Sequence, residues 1–368
     1  MKKIFLLTAV TVYTLFAAHT FAPNQKCKSC HPNIYKEFQS TQHANSTIFK
    51  DEIHAAVWKK NPKHLKAKKY GCAKCHTPAA DDIDKLKQKG VAYLPNINNA
   101  TQNEGVSCAY CHRIESIKHA KKMNSNIISK EPKKYFGTLD DHIKSPFHKI
   151  DTTNQNFKNG NVCIGCHSHK KNKFGLNVCS TNIANEMDGA NCVSCHMPKV
   201  KGSVSNLRET KTHTFHGFPG THSHPDMLSK YVDIEFLRDI KDFQIAVNNK
   251  SSHALTLHPM RLMKLNVKVT RDGKEIKFPS KIFVRAIGVN GKPTPPWLAK
   301  EIVKDTSIKA NEKRVIKYDF ELKKGDIVKA ELGYYLVNPK LHKKFGLQNN
   351  KKATAFTVLK SKTFNIKK

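Results

Sequence analysis

The chain has 368 residues, with 64 basic and 29 acidic side chains and a formal net charge of +35. Its length allows more than one domain, and the absence of a nucleic-acid-binding motif argues against a nucleic-acid partner despite the basic charge. That charge predicts attraction to acidic redox proteins, anionic membrane surfaces or small anions, unless it only reflects a lysine-rich composition.

Residues 1–22 have the pattern of a secretory signal peptide. Lys2 and Lys3 precede an apolar stretch that ends near Ala18, and small or polar residues lead to Ala22. Pro23 is unusual after a cleavage site, so a residual N-terminal membrane anchor is the alternative. The apolar run of roughly 15 residues is shorter than the ~20 that a spanning helix needs. We therefore predict export to the periplasm.

Five Cys-x-x-Cys-His motifs follow, and they contain ten of the eleven cysteines. In this spacing two thiols form thioethers with a haem and the adjacent imidazole ligates its iron. One such motif is expected by chance roughly 0.02 times in this composition. Zinc knuckles and redox dithiols do not need a histidine after every second cysteine. The sequence predicts five covalently attached haem c groups at Cys27, Cys30, Cys72, Cys75, Cys108, Cys111, Cys163, Cys166, Cys192 and Cys195, with proximal iron ligands His31, His76, His112, His167 and His196.

Residues 23–232 are predicted to form this pentahaem cytochrome unit, with a mostly α-helical or irregular backbone. A chain with about 40 residues per haem cannot build an ordinary core, so the porphyrin faces must supply buried apolar surface. Short helices are expected at 33–38 and 52–60. Cys179, outside the motifs, is expected to be a partly buried thiol; a thiolate ligand or a disulfide to another chain is the rarer alternative.

The second axial ligand of each iron decides its function. A second imidazole makes a low-spin electron carrier, whereas an open position permits chemistry. Fourteen histidines lie outside the motifs and the signal, and none lies between the second and third motifs. The predicted distal ligands are His43, His54, His148, His213 and His216, with His222 and His224 in a second cluster.

Residues 236–368 are predicted to form an antiparallel β-sandwich, Ig-like in type. Apolar and polar residues alternate at 264–269 and 316–322, and further strands are expected at 282–287, 328–332 and 355–359. Asp272-Gly273 and Asn290-Gly291 offer hairpin turns. About seven short strands at this spacing are typical of a sandwich.

The first unit resembles the multihaem cytochromes related to the tetrahaem electron carrier of ammonia oxidation. The resemblance rests on Cys27 to His43 with Tyr35, Phe38 and Ser40, and on the runs 105–112, 145–148, 195–198 and 213–217. It implies closely packed haems with mainly bis-histidine irons, one of which can be five-coordinate. It also implies that His43, His148 and His213 are distal ligands. Some relatives carry a β domain that opens with a Gly-His and a nearby Pro, which Ser252-His253 and His258-Pro259 match loosely.

Two functions are compatible with these patterns. The first is a periplasmic electron carrier of anaerobic respiration, with acidic or membrane-bound, quinol-linked redox partners. The alternative is a reductase or oxidoreductase that acts at one five-coordinate haem on nitrite, hydroxylamine, sulfite or tetrathionate. All five motifs end in His, so the lysine-ligated motif of the pentahaem nitrite reductases is absent. No catalytic residue is assigned, and a scaffold role is a third reading.

Overall fold

The structure is a computed structural model that describes residues 21–60, 69–88, 90, 93–139, 145–181, 191–239 and 241–367. The predicted signal peptide therefore lies almost wholly outside the described residues. His64 and His142 also lie outside them. No helix in the described ranges has both the length and the apolar character needed to cross a membrane.

The first unit contains short helices placed at or near the haem motifs. Ser107 and Asn191 cap the helices of the third and fifth motifs, accepting main-chain N–H groups through their side-chain oxygens. The helices predicted at 33–38 and 52–60 are confirmed, the first with one extra residue at each end. The helices of this unit are α1 Asn24–Lys28, α2 Pro32–Gln39, α3 Glu52–Lys60, α4 Ala73–His76, α5 Ile83–Lys87, α6 Cys108–Cys111, α7 Gln155–Lys158 and α8 Cys192–His196, with 3₁₀ helices at Ala100–Asn103, Asn161–Gly165 and Pro225–Tyr231.

Four small two-stranded sheets, which the sequence did not predict, connect these helices. All are antiparallel except the second, and each joins segments close in sequence. Their strands have three to five residues, too short to show an alternating pattern. The pairs are β1 Ile114–Lys118 with β2 Ser125–Ile128, β3 Lys134–Phe136 with β4 Lys149–Asp151, β5 His169–Lys171 with β6 Asn177–Ser180, and β7 Lys199–Lys201 with β8 Thr212–Thr214.

The second unit is built from two larger antiparallel sheets. The first has the order β17-β10-β9, with β9 Val232–Arg238, β10 Phe243–Asn249 and β17 Lys313–Tyr318. The second has the order β12-β11-β18-β19, with β13 also paired to β11. Its strands are β11 Leu262–Arg271, β12 Lys274–Lys277, β13 Lys281–Phe283, β18 Ile327–Tyr335 and β19 Thr357–Asn365. A smaller sheet (β14 Arg285–Val289, β15 Lys292–Pro293, β16 Glu301–Asp305) and helices α9 Pro339–Phe345 and α10 Lys351–Thr354 lie between these strands in sequence.

The two larger sheets share one hydrophobic core. In β11, Leu265, Val267 and Val269 are buried as the alternation predicts, and residues from both sheets complete a single cluster of buried side chains. The clusters among the haem motifs are much smaller, with four buried residues each. This difference agrees with the expectation that the first unit lacks an ordinary protein core.

Three strand predictions need correction. The segment predicted at 282–287 divides into β13 and β14, which belong to different sheets, because Val284 between them donates its N–H to Thr306 rather than to a strand. The predicted strand at 355–359 begins two residues later and extends to Asn365. The strand predicted at 316–322 ends at Tyr318. The first strand of the unit, β9, begins at Val232, ahead of the predicted start of the unit at 236.

Replacement of Leu265 by Ala is expected to destabilise the holoprotein by about 2–5 kcal/mol, because it leaves a cavity in the shared core. Leu265 is fully buried, whereas Val315 of β17 is 46% exposed. The matched Val315→Ala variant should change stability by no more than about 0.5 kcal/mol. Urea denaturation followed by circular dichroism measures both; equal midpoints would contradict the assignment of the core.

Candidate functional site

Four of the five motif histidines bind a main-chain carbonyl oxygen through Nδ1. A carbonyl can only accept, so Nδ1 carries the proton and Nε2 keeps the lone pair that a metal needs. The acceptors lie up to 173 residues away in sequence, so folding fixes each ring. The pairs are His31 with Val204 (2.7 Å), His76 with Ser46 (3.0 Å), His112 with Phe136 (2.8 Å) and His196 with Pro219 (2.6 Å).

His216 faces the third motif histidine. The rings of His112 and His216 are 6.2 Å apart between centroids and inclined by 19°. Two imidazoles on opposite faces of one iron have centroids about 6 Å apart, because each metal–nitrogen bond is about 2 Å long. The Nδ1 of His216 lies 2.7 Å from the Thr214 carbonyl oxygen, which leaves Nε2 for a metal. Burial, and next the nearby His112, lower the pKa of His216 to about 3, so the ring is neutral.

His43 faces the fourth motif histidine. The centroids of His43 and His167 are 5.8 Å apart, with the rings inclined by 76°. Burial, followed by the neighbouring His167 and His196, lowers the pKa of His43 to about 3. Both features agree with a neutral imidazole at an iron.

His253, which was only a loose match in sequence, faces the fifth motif histidine. Its ring is 6.2 Å from that of His196 and inclined by 12°. His253 follows β10 in the second unit, where the buried side chain of Asn249 donates to the carbonyl oxygens of His253 and Lys309. Its Nδ1 lies 3.0 Å from the Ala254 carbonyl oxygen, so Nε2 is again free of that bond.

His148 lies near the first motif histidine. Its ring contacts that of Tyr135 at 5.3 Å, and burial and then the charge of His31 lower the pKa of His148. The sequence did not predict a pairing of His148 with His31, because the motif that follows His148 in the chain is the fourth and not the first.

The second motif has a different arrangement. His54 and His76 have centroids only 3.8 Å apart, and the Nδ1 atoms of both lie close to the Ser46 carbonyl oxygen. The hydroxyl of the buried Tyr70 lies 3.4 Å from His54 Nε2. A separation of 3.8 Å does not match the spacing of about 6 Å seen for the other pairs.

His213, a predicted distal ligand, contacts Glu37 and Gly202 through its two ring nitrogens. Its Nε2 lies 2.8 Å from Glu37 Oε1, and its Nδ1 lies 3.0 Å from the Gly202 carbonyl oxygen. Both ring nitrogens of His213 are therefore engaged by oxygen atoms of the protein. The second oxygen of Glu37 accepts the main-chain N–H of His216 at 2.9 Å. His213 and Glu37 therefore hold the segment that carries His216.

The haem motifs lie close together in a defined order. The Cys27 side chain neighbours Cys108, Cys75 neighbours Cys166, and Cys163 neighbours Cys192. Cys111 lies near both Cys163 and Cys166. The first motif is thus next to the third, and the fourth is next to the second, third and fifth.

Cys179, Trp58 and Trp297 lie outside the haem motifs. Cys179 lies in β6, and burial raises the pKa of its thiol. Trp58 packs edge-on against Tyr70 at 5.6 Å, and Trp297 packs against a cluster that includes Met260 and Val337. Both tryptophans therefore serve packing.

The donor set fits covalently bound haem c. Each motif offers two thiols for the ring and one imidazole for the iron, and the paired imidazoles above present neutral nitrogens at a suitable spacing. The motif cysteines are all free thiols in the structure, so none is consumed by a disulfide.

Comparison with known proteins agrees with this chemistry. Residues 26–113 and 115–197 match the family model described as cytochrome c554 and c-prime. The chain is also similar to the crystal structure of a penta-heme cytochrome c552 from Thermochromatium tepidum, with a TM-score of 0.72 and 21% identity over 94% of this chain and 99% of that chain. The likeness extends across both units and shows a shared fold. A search of curated proteins found no significant match.

Replacement of Gly105 by Ala is expected to disturb the segment that carries His43. Gly105 has φ +65°, and a Cβ there would lie 2.5 Å from the His43 carbonyl oxygen. Gly273 has φ +75° in a hairpin turn with open space around it, so Gly273→Ala controls for backbone strain alone. We expect about 1 kcal/mol of destabilisation in the control and a larger loss at Gly105. Equal losses in urea denaturation would show that the close contact has no effect.

Proposed function

Because the chain is a multihaem c-type cytochrome related to the cytochrome c554 and c-prime family, we propose that it transfers electrons through a row of closely packed, mainly bis-histidine haems. The observation that carries this proposal is the repeated facing of imidazole rings at 5.8–6.2 Å, found for three motif histidines. Two strong-field nitrogen ligands leave an iron without an open position for substrate, which suits a carrier.

The proposed ligand pairs draw on both units. They are His31 with His148, His112 with His216, His167 with His43, and His196 with His253. For three of these pairs the facing rings are seen directly; the first pair is supported by the nearby His31, which helps to lower the pKa of His148 after burial. The sandwich is therefore a working part of the redox unit, since His253 belongs to it.

The order of the motifs supports a path through the first, third, fourth and fifth haems. The cysteines of the first and third motifs are neighbours, as are those of the third and fourth and of the fourth and fifth. The cysteines of the second motif neighbour the fourth motif. When bound, the haems supply the one-electron couple of their irons. The protein holds neutral imidazoles in fixed orientations and keeps the attachment points close together, which shortens every transfer.

We also propose that the protein works in the periplasm. Thioether attachment of haem takes place outside the cytoplasm, which agrees with the predicted signal peptide. The net charge of +35 favours acidic or anionic redox partners, including quinol-linked membrane proteins, through long-range attraction that salt weakens.

The strand order supports an Ig-like description of the second unit. Strands β9, β10 and β17 take the positions of strands A, B and E, and β11, β12, β18 and β19 take those of C, C′, F and G. The sheets then read A-B-E and C′-C-F-G, without a D strand. The sheet β15-β14-β16 is an addition inserted before strand E.

One observation favours the alternative, an oxidoreductase acting on a small anion such as nitrite, sulfite or tetrathionate, or on hydroxylamine. At the second motif, His54 lies 3.8 Å from His76 and engages Tyr70, so it is not placed as a ligand across an iron. A five-coordinate haem at His76 would provide the open position that such chemistry requires. The carrier remains the better supported function, because the other four motif histidines each have a neighbouring imidazole.

Spectroscopy of the holoprotein tests the two functions. Intact mass should equal the chain plus five haems, and a carrier should show low-spin ferric signals with carbon monoxide binding to none of the reduced haems. One high-spin signal in the wild type together with stoichiometric carbon monoxide binding, both altered by Tyr70→Phe, would favour the oxidoreductase. A colourless protein with the mass of the bare chain would contradict both functions.

His216 and His213 provide a matched pair of variants. His216→Ala should convert one haem from low spin to high spin, since it removes an axial nitrogen. His213→Gln should keep all low-spin signals and shift only one of them, because Gln can still donate a single hydrogen bond to Glu37. Electron paramagnetic resonance distinguishes these outcomes; a new high-spin signal in His213→Gln with none in His216→Ala would reverse the assignment.

A further inference from the structure

Arg261, His222 and His258 form a cluster where the two units meet. Arg261 is the residue before β11, and its Nη2 donates to Nε2 of His222 at 3.2 Å. Its main-chain N–H donates to the carbonyl oxygen of His258 at 3.0 Å. The Tyr334 hydroxyl donates to the Thr221 carbonyl oxygen at 2.9 Å and so fixes the segment that carries His222.

The free polar atoms of this cluster are all donors. An arginine can only donate, so His222 Nε2 accepts and its Nδ1 must carry the proton. The main-chain N–H of Met260 lies 3.2 Å from His258 Nδ1, so that nitrogen accepts and His258 Nε2 carries the proton. Burial, and next the charge of Arg261, lower the pKa of each histidine to about 3, which keeps both rings neutral. Each histidine thus has one ring N–H group that could donate to an anion, and the guanidinium has N–H groups besides the one that binds His222.

The charged side chains that act most strongly on the two histidines are positive. Lys170 and Arg285 act on His258, and Lys352 acts on His222. Within the described residues, the groups that most favour the charged form of Arg261 are the Cys179 thiol and the Tyr334 phenol, not an Asp or Glu. A half-buried guanidinium with no carboxylate partner is unfavourable unless an anion completes the site.

The cluster borders the paired rings of His167 and His43. Phe218, four residues before His222, packs edge-on against His43 with ring centroids 4.5 Å apart. The intervening Pro219 carbonyl oxygen accepts from His196. The segment 218–222 therefore runs from the histidine pair of the fourth motif to the guanidinium of Arg261.

We propose that Arg261, His222 and His258 form an anion-binding site that holds a propionate carboxylate of the haem attached at Cys163 and Cys166. The inference rests on the proposed function, because it takes His167 and His43 as the ligands of that haem. Haem propionates leave the ring at the edge opposite the thioether-forming vinyl groups. The thiols of Cys163 and Cys166 instead neighbour Cys192 and Cys75, which agrees with a cluster on the other side.

Two substitutions of Arg261 in the holoprotein test the site. Arg261→Gln should lower the midpoint potential of one haem, because loss of a nearby positive charge favours the ferric iron. Arg261→Lys should restore most of that potential, since it keeps the charge. Arg238→Gln is the matched control: it removes an equal charge from β9, where the side chain donates to the Leu322 carbonyl oxygen. Redox titrations followed by absorption and electron paramagnetic resonance measure each haem.

The source of the anion is tested by titration with acetate at constant ionic strength. A haem propionate predicts wild-type potentials that do not depend on acetate, and a reduced-minus-oxidised infrared spectrum whose carboxylate band shifts in Arg261→Gln. A saturable effect of acetate in the wild type that Arg261→Gln abolishes would show a free anion instead and overturn the assignment. If Arg261→Gln does not fold, His222→Leu should give a smaller shift in the same haem.

Failure of this site and failure of the proposed function are distinguishable. Five bound haems with the same potentials in Arg261→Gln, His222→Leu and Arg238→Gln would overturn the site alone. A wild-type protein without covalently bound haem would contradict the function itself.

Discussion

Hydrogen bonds from imidazole Nδ1 atoms to distant main-chain carbonyl oxygens orient the functional side chains of this protein. Such a bond selects the tautomer, and it also makes ring orientation depend on segments far away in sequence, as for His31 and Val204. The short helices of the first unit have too few buried side chains to position these rings by packing. The imidazoles and the carbonyls that bind them therefore connect segments that a hydrophobic core would otherwise hold together.

The second unit has its own core, yet it contributes to the same chemistry. One end of the second unit places His253 opposite His196 of the fifth motif and Arg261 beside His222 of the first unit. Apolar contacts of Val178 with Ile287 and Ala299 add a packed boundary between the units. Under the proposed function, this packed boundary lets the second unit supply both a ligand, His253, and a positive charge, Arg261, to the haem-binding unit.

Local chemistry was predictable from sequence, and long-range partners were not. The motif cysteines and histidines follow from their spacing, and α3 and β11 follow from their periodicity. His213 and His216 are three residues apart in one run, and the sequence gives no sign that Glu37, 176 residues away from His213, contacts the ring of one and the main chain of the other. His253 had a faint signal because its partner His196 lies in the other unit. The separation of β13 from β14 at Val284 depends on a hydrogen bond to the hydroxyl of Thr306. The alternation of apolar and polar residues gives no sign of this bond.

The position of His253 has a consequence for maturation. With His253 as its ligand, the fifth iron stays incompletely coordinated until the sandwich closes, and closure needs β18 and β19, the last two strands of the chain. Cys192 and Cys195 precede those strands in the chain, so under this ligand assignment attachment of the fifth haem and completion of its coordination depend on different segments. Folding of the second unit and coordination of the fifth iron would then be a single coupled event.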